Sequence, residues 1–169
     1  VMIRTMSDID IPKLTAFMTK VGQLNRAAKT IRMTTPAGTD VTFETDDRHV
    51  VSVDTGDASK SGVYMMLGQL NVVPKYGSVN GTIVFDGTVT PPFGRTPDRP
   101  IKLIVKDSVI VEIQGGSDAA AYEKWLKDFK DPGMLKMAHV AYGFNPGAKL
   151  SGNVVEDERV WGVTEWGIG

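Results

Sequence analysis

The stretch IKLIVKDSVIVEI, residues 101–113, predicts the fold class most directly. Two short apolar runs, 101–105 and 109–113, flank the polar segment Lys106-Asp107-Ser108. Runs of this length on either side of a polar turn predict a β-hairpin. Residues 30–44 show a similar pattern, in which apolar and polar residues alternate on both sides of the turn segment Pro36-Ala37-Gly38-Thr39. We therefore expect a sheet of antiparallel hairpins.

Two helices are predicted to flank these strands. The first begins near Pro12 with Asp8 or Asp10 as its cap, and the second has Ser117 or Asp118 as its cap and ends near Phe129. The apolar face of the first is predicted to comprise Leu14, Phe17, Met18, Val21, Leu24 and Ala28. The second is predicted to present Ala121, Trp125 and Phe129.

Further strands are expected at residues 49–53, 81–87 and 160–168, whereas four prolines make 91–100 a loop. The whole pattern predicts a mixed α/β protein of the α+β type, in which a β-rich region carries flanking helices. Residues 1–29 are interpreted as the helical end of a truncated N-terminal domain, and 30–169 as an incomplete catalytic domain. The start on Val1 and the strand-like run up to Gly169 suggest a segment of a longer protein.

Composition excludes several classes of function. The 19 basic and 20 acidic residues balance, so we expect neither a nucleic-acid nor a membrane-surface partner. The absence of cysteine excludes disulfides, thiolate metal sites and thiol nucleophiles, and fits a cytoplasmic protein. No apolar stretch approaches the roughly 20 residues that span a bilayer. No phosphate-binding glycine loop or serine nucleophile elbow is present.

Two residues are the main candidates for chemistry. His139 lies in the small, apolar stretch MAHVAYGFNP, residues 137–146, where an imidazole is either a buried core group, a metal ligand or a base. Glu165 lies in a mostly apolar run, where a carboxylate is costly to bury unless it is paired, although an edge strand would let it face solvent. Together they would begin a mixed nitrogen and oxygen site suited to Zn²⁺, Fe²⁺, Mn²⁺ or Co²⁺. Two ligands are too few for such a site, and only His49 could add a second imidazole.

Other polar residues are weaker candidates. Arg95 and Arg99, in the proline-rich loop, could bind a substrate carboxylate, although a solvated loop is the favoured interpretation. The acidic segment 156–158 is expected to be a solvated turn.

Several motifs resemble the aminopeptidase T/S family of metallo-aminopeptidases and the 2,5-dihydroxypyridine 5,6-dioxygenases that share its framework. They are VNGTIVFDG (79–87), PIKL (100–103), VIVEIQGG (109–116) and GFNPGAKLSGNVVEDE (143–158), which occur in the family's order. His139 stands where the aminopeptidases have a glutamate and the dioxygenases a histidine. Gln69 replaces an aminopeptidase metal glutamate, and Glu165 replaces a histidine. The resemblance therefore implies a mononuclear site nearer the dioxygenase branch.

The same resemblance implies the function. The favoured function is ring cleavage of an N-heterocycle at a single metal, with Fe²⁺ favoured and Zn²⁺, Co²⁺ or Mn²⁺ as alternatives. His139 would be a ligand, and Glu165 a further ligand or a general base; a His-x-Asp motif beyond Gly169 would complete the set, so this segment alone is expected to be inactive. Leucyl aminopeptidase-like hydrolysis and a non-catalytic binding module are the alternatives. A small-molecule substrate is expected, and a homo-oligomer is compatible with the sequence.

Overall fold

The computed structural model describes residues 2–45, 51–57, 59, 61 and 66–169. The described residues form nine strands in two antiparallel sheets. In chain order the strands are β1 (Thr30–Thr34), β2 (Asp40–Glu44), β3 (Val51–Asp54), β4 (Gln69–Val72), β5 (Asn80–Phe85), β6 (Ile101–Lys106), β7 (Val109–Gln114), β8 (Met137–Gly143) and β9 (Thr164–Ile168). The five-stranded sheet has the order β1-β2-β5-β6-β7, and the four-stranded sheet has the order β3-β4-β8-β9.

The hairpin of β6 and β7 forms as predicted. Lys106 pairs with Val109 across a two-residue turn. Both turn residues adopt left-handed backbone conformations, with φ of 49° at Asp107 and 63° at Ser108. Two successive positive φ values define the turn that matches the natural twist of paired strands. The hairpin of β1 and β2 is also confirmed, with Thr34 opposite Asp40.

The helices flank the sheets, which confirms the predicted α+β class. They are α1 (Met2–Met6), α2 (Ile11–Ala27), α3 (Ser117–Asp128) and α4 (Val154–Asp157), and a 3₁₀ helix spans Pro132–Leu135. Asp10 caps α2 as predicted, because its side chain accepts a hydrogen bond from the backbone N–H of Lys13 at 3.0 Å. No helix among the described residues is long and apolar enough to cross a membrane.

The buried face of α2 is narrower than the sequence predicted. Leu24 is 61% exposed, so its assignment to the apolar face was wrong, whereas Phe17 is half-exposed but packs on the rings of Phe144 and Trp161. Gly22 and Asn25 are buried instead. A Cβ on Gly22 would lie 2.9 Å from a methyl group of Val53, so the absence of a side chain lets α2 approach the four-stranded sheet. Leu14 and Met18 are buried as the apolar periodicity predicted, and the close approach of the backbone at Gly22 decides the rest of the buried face.

The predicted cap and face of α3 are also corrected. The N-cap is Gly116, and neither Ser117 nor Asp118 caps the helix. The buried face contains Ala119, Tyr122 and Leu126, whereas Phe129 is 53% exposed. The face is rotated because Tyr122 packs against Phe85 and Phe93 of the β5–β6 region.

The core joins the two sheets. Phe43 of β2 and Trp166 of β9 meet edge to face, with 6.3 Å between their ring centroids. The helix α2 packs against β3 and β4, so the described N-terminal residues contact the β-rich region. The proposed division between residues 1–29 and 30–169 stays a prediction. The sequence patterns did not predict β4 or β8, which pair with each other at the centre of the smaller sheet.

Candidate functional site

The pairing of β8 and β9 brings His139 and Glu165 together. Glu165 lies opposite Ala141, and His139 lies opposite Gly167. Residues opposite each other share a face, and so do residues two apart along a strand. The side chains of His139 and Glu165 therefore project from one face of the smaller sheet, away from the face that buries Val140 and Trp166. The distance from His139 Nε2 to Glu165 Oε2 is 3.1 Å.

This pair is only partly shielded from solvent. The side chains of His139 and Glu165 are 39% and 23% exposed. The adjacent Glu165 carboxylate raises the pKa of His139 above its usual value, partial burial opposes the shift, and the charge of Glu158 reinforces it. Without another cation present, these contacts favour an imidazolium paired with a carboxylate.

Gly167 makes the space that the imidazole occupies. A Cβ at this position would lie 2.2 Å from Cε1 and 2.3 Å from Nδ1 of His139. These separations are far below the roughly 3.5 Å at which non-bonded carbons normally meet. The imidazole therefore lies directly over the Gly167 backbone, which fixes its position beside Glu165. Sequence reasoning missed this role, because it depends on cross-strand register.

The His139–Glu165 pair has the donor chemistry of a partial metal site. The Oε2 atom of Glu165 is buried, and its 3.1 Å contact with His139 Nε2 is an ion pair when the imidazole is protonated. An imidazole nitrogen and a carboxylate oxygen that share one metal ion lie about 2.9–3.4 Å apart, given bond lengths near 2.1 Å. The observed separation fits that range. The described residues contain no group of three metal-ligating side chains, so a complete site needs further donors.

The other residues singled out on metal grounds lie elsewhere. Gln69, at the position of an aminopeptidase ligand, is buried opposite Gly143. Gly143 is four residues from His139 along β8, which is about 13 Å of strand. His49 lies outside the described residues.

The two loop arginines do not join this site. Arg95 forms a two-pronged ion pair with Asp118, with bonds of 2.9 and 2.8 Å, and it lies over the ring of Phe93. This interaction explains why Asp118 is buried and why its pKa is lowered, first by Arg95 and then by the backbone N–H of Asp98. Arg99 is exposed and packs its aliphatic part beside Gly116. Binding of a substrate carboxylate by either arginine stays a prediction that these positions do not support.

The acidic segment 156–158 is not the solvated turn that was expected. Glu156 and Asp157 are 1% and 5% exposed at the end of α4. Asp157 accepts hydrogen bonds from Thr88 Oγ1 at 2.6 Å and from the backbone N–H of Gly152 at 3.0 Å. Glu156 pairs with Arg4. These carboxylates are used to anchor the loop that follows β8, so they are not free donors for the site.

Comparison with known proteins defines the fold class first. The structure superposes on 2,5-dihydroxypyridine dioxygenase from Pseudomonas putida KT2440 with a TM-score of 0.78 at 21% identity, over 94% of this chain and 48% of that one. It superposes on wild-type AmpT from Thermus thermophilus with a TM-score of 0.62 at 16% identity, over 94% of this chain and 42% of that one. The fold is therefore one that a dioxygenase and an aminopeptidase share, as the motifs predicted.

The family follows from the sequence match. Residues 2–165 match the family model described as 2,5-dihydroxypyridine 5,6-dioxygenase (NicX). The curated 2,5-dihydroxypyridine 5,6-dioxygenase of Pseudomonas putida is 29% identical over 93 residues, which are 54% of this chain and 27% of that protein. The chain belongs to the 2,5-dihydroxypyridine 5,6-dioxygenase family, which confirms the predicted resemblance. It spans about a quarter of the curated relative and about half of the solved one.

Proposed function

We propose that this chain is part of a metal-dependent, ring-cleaving dioxygenase that acts on a hydroxylated N-heterocycle. The observation that carries the proposal is the approach of His139 Nε2 to Glu165 Oε2 at 3.1 Å, with the carboxylate oxygen buried and free of hydrogen bonds among the described residues. Family membership supports the substrate class, since the relatives are 2,5-dihydroxypyridine dioxygenases.

The two side chains have distinct roles in this proposal. His139, held over Gly167, would donate Nε2 to a divalent metal, with Fe²⁺ favoured for oxygen chemistry. Such an ion, when bound, would hold the ring and O₂ side by side. Glu165 would be a further metal ligand or would take a proton from a ring hydroxyl; the residue also lines a cavity of about 530 Å³.

Hydrolysis of N-terminal residues is the second candidate. It is favoured by the fold shared with AmpT, and a carboxylate beside a metal could act as the base for an attacking water. Gln69 argues against it, because this neutral side chain lies about 13 Å along the sheet from His139. A non-catalytic binding module on the same fold is the remaining alternative.

Oxygen uptake by the complete gene product tests the proposal. The protein is reconstituted anaerobically with Fe²⁺ and mixed with 2,5-dihydroxypyridine, and we expect one O₂ consumed per ring lost. The variant His139→Ala is expected to lose both metal and activity, whereas Glu112→Gln, on the exposed β7 surface, serves as a matched control for Glu165→Gln. Release of amino acids from aminoacyl-anilides with Zn²⁺ or Co²⁺, without oxygen uptake, would contradict the proposal and support the aminopeptidase alternative. A protein that binds no metal supports the binding module.

A further inference from the structure

Large apolar side chains are exposed along one wall of a cavity. The cavity has a volume of about 530 Å³ and is lined by residues of both sheets, of α3 and of α4. Leu150, Val154 and Trp161 belong to this lining and are 43%, 45% and 53% exposed. We call these three residues the apolar rim. Apolar surface in contact with water is unfavourable, so the rim gains free energy when a ligand covers it.

Buried carboxylates of α4 hold one part of the apolar rim in place. Leu150 lies between Lys149 and Ser151. The backbone N–H groups of these two neighbours donate to Glu156 at 2.9 Å and to Asp157 at 2.6 Å. Both carboxylates are buried, which is costly for a charged group unless hydrogen bonds compensate it. The loop that presents Leu150 is therefore fixed by the protein itself, with its apolar side chain left exposed.

Aromatic contacts hold Trp161 from the other side. Its ring stacks on Phe17, with 5.7 Å between the centroids and 25° between the ring planes. It also meets the ring of Phe144 at a steep angle, with 6.0 Å between the centroids. Side chains that are already held in place lose little conformational freedom when a ligand binds. The apolar rim is therefore preorganised to contact an apolar group.

The charged residues of the cavity lining restrict the ligand further. None of the described residues that line the cavity is basic, and the acidic ones are Asp86, Asp157, Glu158 and Glu165. Asp157 has no cationic partner among the described residues, because its hydrogen bonds come from hydroxyl and backbone N–H groups. A negative charge on a ligand would be repelled by such a wall. The cavity therefore favours ligands that are neutral or positively charged.

We propose that the cavity and its apolar rim form a binding site for a small molecule that carries an apolar substituent and no negative charge. The substituent lies against Leu150, Val154 and Trp161, and the polar part of the ligand enters the cavity. The volume of about 530 Å³ falls within the roughly 300–1,000 Å³ of sites for drug-sized ligands, so it has room for more than a single six-membered ring. The inference does not rest on the proposed function, because binding at this site needs neither metal nor oxygen.

A set of matched compounds tests the inference, namely phenol, 4-butylphenol, 4-butylbenzylamine and 4-butylbenzoate. The complete gene product is stripped with EDTA, so that no metal can hold a carboxylate, and is titrated with each compound by calorimetry. We expect 4-butylphenol to bind at least about tenfold more tightly than phenol, since each fully buried methylene is worth about fourfold in affinity. The cationic 4-butylbenzylamine should bind at least as tightly as 4-butylphenol. The anionic 4-butylbenzoate should bind at least about tenfold more weakly than 4-butylphenol.

Variants of the apolar rim locate the binding site. Leu150→Ala and Val154→Ala should each lower the ratio of the affinities for 4-butylphenol and phenol by about threefold, because each removes apolar surface from contact with the butyl chain. This ratio cancels any loss of affinity that the two compounds share. Leu24→Ala is the matched control, because Leu24 is also exposed and does not line the cavity. Urea unfolding checks that each variant is folded.

The outcomes are separate from those of the proposed function. Equal affinity for phenol and 4-butylphenol, binding of neither compound, or an unchanged ratio in both rim variants overturns the inference. Binding of 4-butylbenzoate as tight as that of 4-butylphenol also overturns it, because the cavity would then not select by charge. A ratio that falls in a rim variant but not in Leu24→Ala, together with weak binding of 4-butylbenzoate, supports the inference. Oxygen uptake by the iron-loaded protein decides the proposed function and leaves this result unchanged.

Discussion

Replacing Gly167 by alanine should displace the His139 imidazole without unfolding the protein. The added Cβ would lie 2.2 Å from Cε1 of the ring. Non-bonded carbons need about 3.5 Å, so the ring must move by about 1.3 Å. The Gly167 backbone is not in the left-handed region, so alanine introduces no backbone strain there.

The expected loss of metal affinity follows from how little the distance between a ligand atom and its metal can vary. Ligand distances vary by about 0.2 Å in a working site, so a displacement above 1 Å takes Nε2 out of bonding range unless the strand also shifts. We expect the metal affinity of the complete gene product to fall by about 100-fold, the upper range for disrupting the groups that orient a ligand. The free energy of unfolding should change by less than about 1 kcal/mol, since removing a glycine also restricts the unfolded chain.

Competition with a fluorescent chelator measures the affinity, and urea unfolding of the metal-free protein measures the stability. Gly87→Ala is the matched control, because its Cβ would meet only a Leu150 methyl group, at 3.9 Å. If Gly167→Ala binds metal as tightly as the unchanged protein while remaining folded, the imidazole over Gly167 is not the ligand and the reasoning is refuted.

Three further predictions concern the same region. Glu165→Gln should lower the pKa of His139 in the metal-free protein, measured by NMR titration, because the carboxylate is the main cause of its rise. The ion pair stabilises the fold below the unfolded-state pKa of about 6.5, and this contribution is lost as pH rises through the raised pKa of the folded state. A stability difference between the variant and the parent that does not change with pH across this window would contradict the prediction. Arg159→Leu should cost about 3–5 kcal/mol in urea unfolding, because Arg159 is 2% exposed and its loss leaves Asp54 without its buried cation; a cost below 1 kcal/mol would refute this. Gly143→Ala should lower the free energy of unfolding by about 1–3 kcal/mol, because its Cβ would lie 2.1 Å from the Val160 carbonyl oxygen. An unchanged unfolding midpoint would contradict this, because it would mean that the backbone at Val160 moves away from β8 without cost.

The parts of the fold that could be predicted are those that local sequence decides. The hairpin around Asp107-Ser108 forms because its flanking runs and polar turn lie within thirteen residues of one another. The faces of α2 and α3 were harder, because burial there depends on contacts distant in sequence. Gly22 is buried because Val53 lies against it, and Tyr122 is buried because Phe85 and Phe93 pack on it.

The candidate site was predictable in its residues but not in its surroundings. His139 and Glu165 stand out as polar groups in apolar stretches, and the structure brings them within 3.1 Å of each other. Their roles as metal ligands stay predictions. Gly167 gave no signal in the sequence, because it matters through cross-strand register.

Anomalous diffraction from crystals of the complete gene product soaked with Zn²⁺ would locate the ion directly. The account predicts an anomalous peak about 2.0–2.2 Å from both His139 Nε2 and Glu165 Oε2. A peak bound at other residues, with these two side chains still in mutual contact, would contradict it.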